Sequence, residues 1–567
     1  MNRSAAAGRV FTRSVCLTAY LLLALGLLAG CAGTTTQAIN PGPVPVDQIQ
    51  LPTLPPGVPS LLRVPTDYPT IQAAVDAARP GQIILIAPGV YQEAVRVETP
   101  DLTIRGEDRN RVILDGKHQL SSGIEIEANN VVVENMTARY YAGNGFYWDG
   151  GEDASHPRSG FRGSYLTAYA NGDYGIYAYN FQNGQFDHSY AAGSPDSGFY
   201  IGQCYPCNAV IDDVVSEWNA LGYSGTNAGG NLIIRDSTWH DNLAGIFPNT
   251  LDSEGFPPEH QTVVINNDVY NNNNDQAPAS RIEYPLIGIG IGVPGGVGNV
   301  IINNHVRDQH NYGIVVISSI SKNVWLPADN RVIGNVVTNS GVADLALAAP
   351  TGPGNCFSDN TATRTLPALI EQKYPCDTPF ANLEGGDSSI SAVLFSRLLY
   401  ANSGAFHPRD WRTIDEGVIP ASQHQPSMPN VAGPALPIFP DPAVFALPVS
   451  AQVPVVHPSA LQPLSAGGSS VLQFLLGLYA ELLPLAIYAA WLALGFWDLA
   501  RNEKMSNAAR LIWMVVLVVV PILGPIAYFL FGRSALSRSF RVMLVVGAPL
   551  LYLLVTGVLL WVASLTA

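Results

Sequence analysis

Residues 175–197 (GIYAYNFQNGQFDHSYAAGSPDS), 198–221 (GFYIGQCYPCNAVIDDVVSEWNAL) and 222–244 (GYSGTNAGGNLIIRDSTWHDNLA) are consecutive stretches of 23, 24 and 23 residues. Each begins with a glycine followed by a large apolar residue, then alternates polar turns with apolar runs. A period in the low twenties indicates a solenoid with one coil per repeat, and short apolar runs between polar turns indicate strands. We therefore predict an all-β fold, a parallel β-helix.

The same glycine pair recurs at Gly145-Phe146, Gly245-Ile246, Gly290-Ile291 and Gly313-Ile314. Successive side chains of a strand point to opposite faces. We predict that the residue after each glycine points into the core, which gives Phe146, Ile176, Phe199, Tyr223, Ile246, Ile291 and Ile314. Asparagines at equivalent turns, such as Asn219 and Asn242, should bond one another between coils about 4.8 Å apart.

Two intervals between repeat glycines are long, with 30 residues from Gly145 to Gly175 and 45 from Gly245 to Gly290. The extra residues fall at Gly150–Gly160, Asn249–Pro258 and Asn272–Glu283. The first two insertions follow the same strand of their coils, so we expect them to leave one corner and wall one side of the solenoid. Long loops on a rigid scaffold commonly carry binding and catalytic residues.

Ahead of the repeats stand residues 68–75 (YPTIQAAV), 83–91 (IILIAPGVY) and 102–106 (LTIRG). A short helix at Thr70–Ala78 would cover the open end of the stack. This arrangement resembles the entry of right-handed β-helix proteins of the pectate-lyase-like superfamily, and with the repeats the resemblance covers about residues 63–383. It implies a right-handed parallel β-helix but no single activity, because that superfamily contains lyases, hydrolases, esterases, epimerases and non-catalytic members.

The catalytic motifs of those families are missing from the chain. Neither Asp-Phe-Ile-Phe-Gly of pectin esterases, Asn-Thr-Asp of polygalacturonases nor Tyr-Gly-Phe-Asp-Pro-His of alginate epimerases occurs. Asp187-His188-Ser189 is similar to a pectate-lyase segment, but the arginine motif that accompanies it is absent. The resemblance therefore assigns no catalytic residue.

The residue two places after each repeat glycine should point outward, which gives an aromatic row of Tyr147, Tyr177, Tyr200 and Phe247. Such a row would suit the apolar faces of sugar rings, and it is our candidate substrate-binding surface. The alternative is that the adjacent insertions cover these rings, which then only pack.

Asp173 and Asp196 each stand two places before a repeat glycine, on adjacent coils. Carboxylates about 5 Å apart can perform retaining glycosidase chemistry or hold a hard cation such as Ca²⁺, although no other cofactor is predicted. The alternative reading is two solvated turn residues. The insertions add possible acids, bases or anion contacts, namely Asp153, His156, Arg158, Asp252, Glu254 and His260.

Arg3, Arg9 and Arg13 precede an apolar run that ends in Leu28-Ala29-Gly30-Cys31. This layout is that of a secretory signal, and its end resembles the bacterial lipobox, which implies a lipid on Cys31. The alternative is an ordinary signal peptide. We predict a signal over residues 1–31 and a tether over 32–62.

Four cysteines remain after the signal, and an even number in an exported chain favours disulfides. We predict the local pairs Cys204–Cys207 and Cys356–Cys376. A zinc site of all four is disfavoured, because about five coils separate Cys207 from Cys356, roughly 20–25 Å.

We predict the β-helix over residues 63–402, including helical end caps. Within it, Ser391–Tyr400 reads as a helix that covers the exit end. Residues 403–468 are rich in proline and should act as an extended spacer. Residues 469–567 contain three apolar runs long enough to cross a membrane, Val471–Trp497, Leu511–Phe531 and Val542–Leu565.

Within this last region, Trp497-Asp498-Leu499-Ala500-Arg501 and Pro521–Phe529 resemble the membrane segment that precedes phospholipase D-type cardiolipin synthases. The His-x-Lys-x4-Asp motif of their catalytic domain is absent. The resemblance therefore implies a membrane anchor and no lipid synthesis.

The net charge of −15 and the absence of a basic cluster exclude a nucleic-acid partner. We predict a protein of the cell envelope, held in the membrane by its lipidated N-terminus and its C-terminal helices, with the β-helix outside the cytoplasm. Its expected function is to bind or scaffold cell-surface or extracellular polysaccharide, such as cell-wall glycan. The alternative is a polysaccharide-active lyase, hydrolase or epimerase.

Overall fold

The structure is a computed structural model that describes Leu54, residues 60–377, 385–403, 405–414, 417–419, 424–437 and isolated positions up to 463. Beyond these it describes mainly 489–502, 505–519, 523–532 and 536–547. The predicted lipid site at Cys31 and most of the predicted tether lie outside the described residues, as do much of the first and third predicted membrane spans.

The chain winds through three parallel sheets, which we name A, B and C, and each coil passes from C to A to B. Sheet A contains β1 (Leu61–Val64), β2 (Ile83–Ile86), β5 (Thr103–Gly106), β8 (Val131–Glu134), β11 (Arg158–Ser164), β14 (Phe181–Asp187), β17 (Ala209–Asp212), β20 (Gly229–Arg235), β23 (His260–Ile265), β26 (Val300–Ile302), β31 (Arg331–Ile333) and β34 (Cys356–Ser358). Sheet B contains β3 (Gly89–Tyr91), β6 (Val112–Asp115), β9 (Thr137–Arg139), β12 (Thr167–Tyr169), β15 (Tyr190–Ala192), β18 (Val215–Glu217), β21 (Thr238–His240), β24 (Asp268–Tyr270), β27 (His305–Arg307) and β32 (Val336–Thr338).

Sheet C contains β4 (Val95–Val97), β7 (Ile124–Ile126), β10 (Phe146–Asp149), β13 (Ile176–Tyr179), β16 (Ser197–Gly202), β19 (Leu221–Thr226), β22 (Ala244–Asn249), β25 (Ile289–Pro294), β28 (Tyr312–Ile317), β33 (Ala343–Leu347) and β35 (Thr365–Leu366). A small antiparallel hairpin adds β29 (Ser319–Ile320) and β30 (Val324–Trp325). This architecture confirms the predicted parallel β-helix.

The repeat glycines set the register of sheet C, as predicted. Phe146 pairs with Ile176, and Ile176 pairs with Phe199. The residues predicted to point inward are all fully buried in one core that runs along the solenoid. The predicted phase of these strands is therefore confirmed.

Asparagine side chains are stacked along the turns. Asn219 Nδ2 donates to Asn242 Oδ1 over 3.1 Å, and Asn242 Nδ2 donates to Asn272 Oδ1 over 3.0 Å. A second ladder runs from Asn267 to Asn304 and Asn335. These buried amides satisfy one another and confirm the predicted contact between coils.

The entry end is closed as predicted, by helix α1 (Ile71–Ala77). The Thr70 hydroxyl caps this helix by accepting from the backbone N–H of Ala73, and Ile71, Ala74 and Val75 are buried in the main core. The exit end is covered by α2 (Ile370–Lys373), where Ile370 is fully buried in the same core.

Helix α3 (Ser388–Asn402) does not close the exit end, so that prediction is wrong. Its Ile390 and Leu394 pack against outward residues of sheet C, including Tyr312 and Val315. Those residues form an apolar patch outside the main core. Covering this patch is the physical reason for the position of α3.

The proline-rich region is not a free spacer over residues 424–437, which we name the proline strap. The buried Arg105 guanidinium donates to the carbonyl oxygens of Val431, Gly433 and Pro434 while pairing with Glu134 at 2.5 Å. The backbone N–H of Met428 donates to Asn135 Oδ1. The strap lies across the outer face of sheet A because its carbonyls supply acceptors to buried donors.

Other segments after the solenoid also pack on it. A 3₁₀ turn at Trp411–Thr413 precedes Ile414 and Ile419, which are buried against Tyr169 and Tyr190 of sheet B. A second 3₁₀ turn, Tyr284–Leu286, lies beside α3.

The C-terminal region contains a helical segment at 489–501, α4 (Asn507–Val519), α5 (Leu523–Phe531), α6 (Arg538–Val542) and a π-helical turn, Met543–Gly547. Of the second predicted span, the structure describes helical residues in α4 and α5, and residues 520–522 lie outside the described part. Among the residues described, none of the helices has the length and apolar character needed to cross a membrane.

Candidate functional site

Sheet C is the face that the insertions border. Residues 150–157, 250–259 and 318–330 each join a strand of sheet C to a strand of sheet A, so the first two leave the same corner, as predicted. Residues 271–288 join β24 of sheet B to β25 of sheet C and leave the opposite corner. The outer face of sheet C thus has loops on both sides.

Three tyrosine rings form a stack on this face. The Tyr147 and Tyr177 rings are 4.6 Å apart and inclined by 12°, while Tyr174 lies 4.2 Å from Tyr177 at 16°. Tyr200 meets Tyr177 edge to face at 4.8 Å. Because both faces of Tyr177 are occupied, this ring offers only its edge and hydroxyl group to a ligand.

Tyr200 and Phe247 point away from the core as predicted, but they are not exposed. Each is 1% exposed. Tyr200 OH donates to Glu254 Oε2 over 2.6 Å, and Phe247 packs so closely that a Cβ at Gly292 would lie 2.3 Å from its ring. The insertions and α3 cover these two rings, which corrects the expectation of an open aromatic row.

Asp173 and Asp196 are neighbours, since the Asp196 N–H donates to the Asp173 carbonyl over 3.3 Å. The Tyr174 hydroxyl donates to Asp196 Oδ2 over 2.9 Å. Although Asp173 is exposed, desolvation by the surrounding protein and the nearby Glu283 raise its pKa to about 6. Desolvation, then Glu283 and Asp173, raise the pKa of Asp196 well above its ordinary value.

Glu254 comes from the second insertion. Asn227 holds its loop by donating to the carbonyls of Leu251 and Glu254. Desolvation raises the pKa of Glu254 to about 7, opposed by the hydrogen bond from Tyr200. Its carboxyl therefore keeps its proton to a higher pH than a solvated glutamate does.

Glu283 comes from the insertion at the opposite corner and is 6% exposed. Both the backbone N–H and the hydroxyl of Ser280 donate to its Oε2, yet burial raises its pKa. We name the assembly of these groups the carboxylate recess, which comprises Asp173, Asp196, Glu254 and Glu283 with Tyr174, Tyr177 and Tyr200.

Gln203 lies next to Glu254, at the corner of the solenoid where the first and second insertions meet. Its Oε1 accepts from Tyr179 OH over 2.9 Å and from the Gly255 N–H over 2.7 Å. A Cβ at Gly255 would be 2.7 Å from that of Ala154 in the first insertion. Gln203 is 3% exposed, and its Nε2 has no hydrogen-bond partner among the described residues.

Two of the other candidate residues are structural. Asp252 accepts from Asn323, from Trp325 Nε1 and from the Ser321 hydroxyl, and these hydrogen bonds outweigh burial and lower its pKa to about 2. They attach the β29–β30 hairpin to the second insertion. His260 bonds the Pro258 carbonyl, and burial lowers the pKa of its imidazole.

The candidates in the first insertion lie away from the recess carboxyls. His156 is exposed and bonds Asp153 at 2.8 Å. Arg158 donates to the Asp149 carbonyl. Within the described residues, neither side chain contacts Asp173 or Asp196, so the predicted role of His156 and Arg158 stays a prediction.

Asp173 and Asp196 do not belong to a group of three converging ligands. Within the described chain, such groups lie elsewhere, at Glu125, Glu127 and Asp149 on sheet C and at Glu217, His240 and Asp241 on sheet B. Arg96 pairs with Glu127 at 2.7 Å, and His240 with Asp241 at 2.7 Å. These groups have partners of their own in the chain.

Two surface cavities also lie away from the recess. One of about 570 Å³ is at the exit end and includes Leu345 and Ile370. The other, of about 310 Å³, is bordered by Trp218, Asp275 and His310.

Sequence reasoning missed Tyr174, Gln203 and Glu283. Tyr174 directly precedes a repeat glycine, and adjacency to Asp173 was a usable signal. The position of Glu283 depends on the path of a long insertion, so no local pattern could have indicated it.

Comparisons with known proteins agree with this architecture. Residues 155–363 match the family model of right-handed β-helix regions, so this part of the chain is a right-handed parallel β-helix. Residues 485–533 match the phospholipase D-nuclease N-terminal family, so this β-helix protein carries a C-terminal segment of that kind, which is consistent with association with a membrane.

Similar solved structures include two Azotobacter vinelandii enzymes, the A-modules of the mannuronan C-5 epimerases AlgE4 and AlgE6. Their sequences are 14% and 17% identical to this one, and both have a TM-score of 0.38. Each match covers 51% of this chain, and it covers 89% of the AlgE4 module and 86% of the AlgE6 module. The pectate lyase Pel9A is 13% identical in sequence, with a TM-score of 0.28. That match covers 52% of this chain and 72% of the Pel9A chain. A comparison with curated protein sequences found no match.

Proposed function

We propose that the protein binds a polysaccharide in the carboxylate recess. The observation that carries this proposal is a set of carboxyl groups and tyrosine hydroxyls between two loop walls, typified by the Tyr174–Asp196 and Tyr200–Glu254 hydrogen bonds. Sugars carry hydroxyl groups that donate and accept, and carboxylates and phenols provide both complements. The recess is open at Asp173, which is exposed.

Recognition would rely on polar groups more than on ring faces. Tyr177 is stacked on both sides, and Tyr200 is buried. Tyr147 ends the stack and is partly exposed, so its outer face is the one surface of the predicted row that could pack on a sugar ring. The proposal requires no cofactor; the Ca²⁺ that Asp173 and Asp196 could hold is tested by adding a chelator.

The proposed location is the outer side of a bacterial-type membrane. A lipid on Cys31 and a C-terminal anchor at residues 469–567 would hold the β-helix there. The disulfides Cys204–Cys207 and Cys356–Cys376, formed as predicted, suit an oxidising compartment. If the β-helix of intact cells resists added protease until lysis, or if Cys31→Ser still takes up a lipid precursor, this location is wrong.

A second candidate function is cleavage of the bound glycan. Burial raises the pKa of Glu254 to about 7, which suits a proton donor, and burial with the nearby Glu283 raises that of Asp173 to about 6. Acid–base cleavage of a glycosidic bond uses one carboxyl as the acid and a second as the base or nucleophile.

The full chain, purified in detergent, tests both functions against a panel of neutral, acidic and amino polysaccharides. Retention without new chain ends supports binding alone; new reducing ends indicate hydrolysis, and unsaturated ends indicate lyase activity. Glu254→Gln should weaken retention or cleavage, and the matched control is Asp213→Asn, which removes one charge from an exposed position away from the recess. Retention of no member of the panel would overturn the proposal.

A further inference from the structure

Helix α3 has a second apolar face, which is turned away from the solenoid. Its inner face packs Ile390 and Leu394 against sheet C. Its outer side chains are between 36% and 58% exposed, namely Val393, Phe395, Leu398, Leu399 and Tyr400. Of the eleven large apolar side chains that are exposed among the described residues between 60 and 414, five therefore belong to this one helix. A helix that is apolar all round is normally buried, so the outer face of α3 needs a partner.

The outer face of α3 carries no charge. Arg397, the one charged residue of the helix, is directed inward, where its guanidinium donates to Asn311 Oδ1 over 2.5 Å and to the Ile287 carbonyl over 3.3 Å. The chain contains 44 acidic residues, yet none lies between positions 388 and 409. In a chain with a net charge of −15, this is a surface that anionic lipid headgroups would repel least.

Aromatic rings gather at the C-terminal end of α3. Tyr284, in the 3₁₀ turn beside the helix, lies 5.6 Å from the Tyr400 ring and 4.3 Å from the Phe406 ring. Ile282, just before this turn, is 75% exposed. Tyrosine rings, which have an apolar body and a polar tip, are typical of the boundary between lipid headgroups and acyl chains.

The size of the outer face favours a lipid surface over a second copy of the chain. The exposed area of its five side chains is on the order of 400 Å², about half of what each partner of a stable dimer buries. A membrane contact can be this small where another part of the chain already holds the protein there. Residues 485–533 are consistent with such an association, and α4 and α5 expose Leu511, Ile512 and Phe531.

We propose that the outer face of α3 docks on a lipid surface, with Phe395, Leu398 and Leu399 entering between the headgroups. The inference goes beyond the glycan function and uses only the membrane association that the C-terminal segment indicates. Because α3 is packed on sheet C, this contact would orient the solenoid on the membrane, where a tether alone would leave it free to turn.

The test uses the full chain, reconstituted at one copy per nanodisc of phosphatidylethanolamine and phosphatidylglycerol. A small fraction of the lipid carries a diazirine in its acyl chain, which on illumination labels the protein groups that reach the acyl region. Mass spectrometry of the digested protein should find label in the C-terminal helices and also in the peptide that contains α3. The label on α3 should persist from about 50 to 500 mM salt, because the contact is apolar.

Variants locate the contact. The double substitution Phe395→Gln and Leu399→Gln keeps the helix propensity and should lower the label on α3 about ten-fold, while the label on the C-terminal helices stays unchanged. Leu399→Gln alone should give an intermediate loss. The matched control is Ile320→Gln, which alters a similarly exposed side chain on the β29–β30 hairpin and should change neither label. All these side chains are exposed, so each variant should keep the melting temperature of the native chain.

The outcomes separate this inference from the others. An unlabelled α3 in discs whose C-terminal helices are labelled would overturn the docking surface while the membrane association stands. The same holds for label that survives the double substitution or that falls equally in Ile320→Gln. A chain that does not enter the discs would overturn the membrane location as well.

Discs loaded with two copies test the competing partner. Cross-links between the two α3 helices in place of lipid label would make the outer face a dimer contact and would overturn the inference. None of these results bears on the glycan function, which is measured by retention on the polysaccharide panel.

Discussion

The outer faces of sheets A and C are treated differently by the rest of the chain. On sheet A, the proline strap supplies carbonyl acceptors to Arg105, and Arg105 in turn neutralises Glu134. On sheet C, Asp173 and Asp196 face further carboxyls. The contrast teaches that the same chain accommodates buried carboxyls in two ways: Glu134 keeps its charge beside a cation, whereas the raised pKa values on sheet C favour the neutral, protonated form.

The largest expected effect is on sheet A. Arg105→Ala would leave Glu134 buried without its cation, and we expect the free energy of unfolding to fall by about 3–5 kcal/mol. Arg96→Ala, which breaks an exposed pair with Glu127, should cost less than about 1 kcal/mol. Denaturant titration of both variants measures the difference, and equal losses would remove the contrast between paired interior and solvated surface.

A middle-sized effect should appear on sheet C as a dependence of stability on pH. The folded-state pKa of Glu254 is raised from 4.5 to about 7. The stabilisation of the folded state by the protonated carboxyl is therefore fully present below pH 4.5 and is lost as pH rises through 7. Glu254→Gln removes this dependence, and relative to the native protein it should gain roughly 2 kcal/mol between pH 5 and pH 8.

The comparison for this pH experiment is Asp76→Asn, which alters an exposed carboxyl on α1 that does not act on Glu254. Its stability curve should run parallel to that of the native chain. Parallel curves for Glu254→Gln as well would mean that this carboxyl titrates as a solvated one, and the distinction between the two faces would then not extend to Glu254.

The smallest effect concerns one hydrogen bond. Tyr174→Phe removes the donor to Asp196 and should cost about 1 kcal/mol of stability. It should also raise the pKa of Asp196 further, because that hydrogen bond lowers it. Titration by NMR checks the direction, and Tyr165→Phe, a ring stacked on His188 at another corner, is the control. An unchanged or lowered pKa of Asp196 would contradict the assigned geometry.

The parts of the molecule that could be predicted from sequence depend on periodicity. The coil repeat, the inward position of Phe199 and the Asn219–Asn242 contact follow from spacing, because neighbouring coils repeat the same geometry. The two disulfides are predicted from an even number of cysteines in a chain expected to be exported. Each of these contacts lies within one coil or between adjacent coils.

The carboxylate recess could be predicted only in part. Asp173 and Asp196 follow the repeat, but Glu254 and Glu283 reach them from two insertions whose paths no period determines. The position of α3 and the strap was missed for a related reason. Their partners, such as Tyr312 and Arg105, lie far away in sequence. Tyr312 belongs to an apolar patch that α3 covers, and Arg105 is a buried donor that the strap supplies with an acceptor.

The proline strap also has a consequence for biosynthesis. A chain that emerges from its N-terminus can stack each coil on the previous one as soon as both exist. Arg105, however, receives its acceptor at Val431 only 326 residues later. The first coils therefore reach their final form only after the last coil has been made, and a chain that stops short of Val431 would leave the Arg105–Glu134 pair uncovered on sheet A.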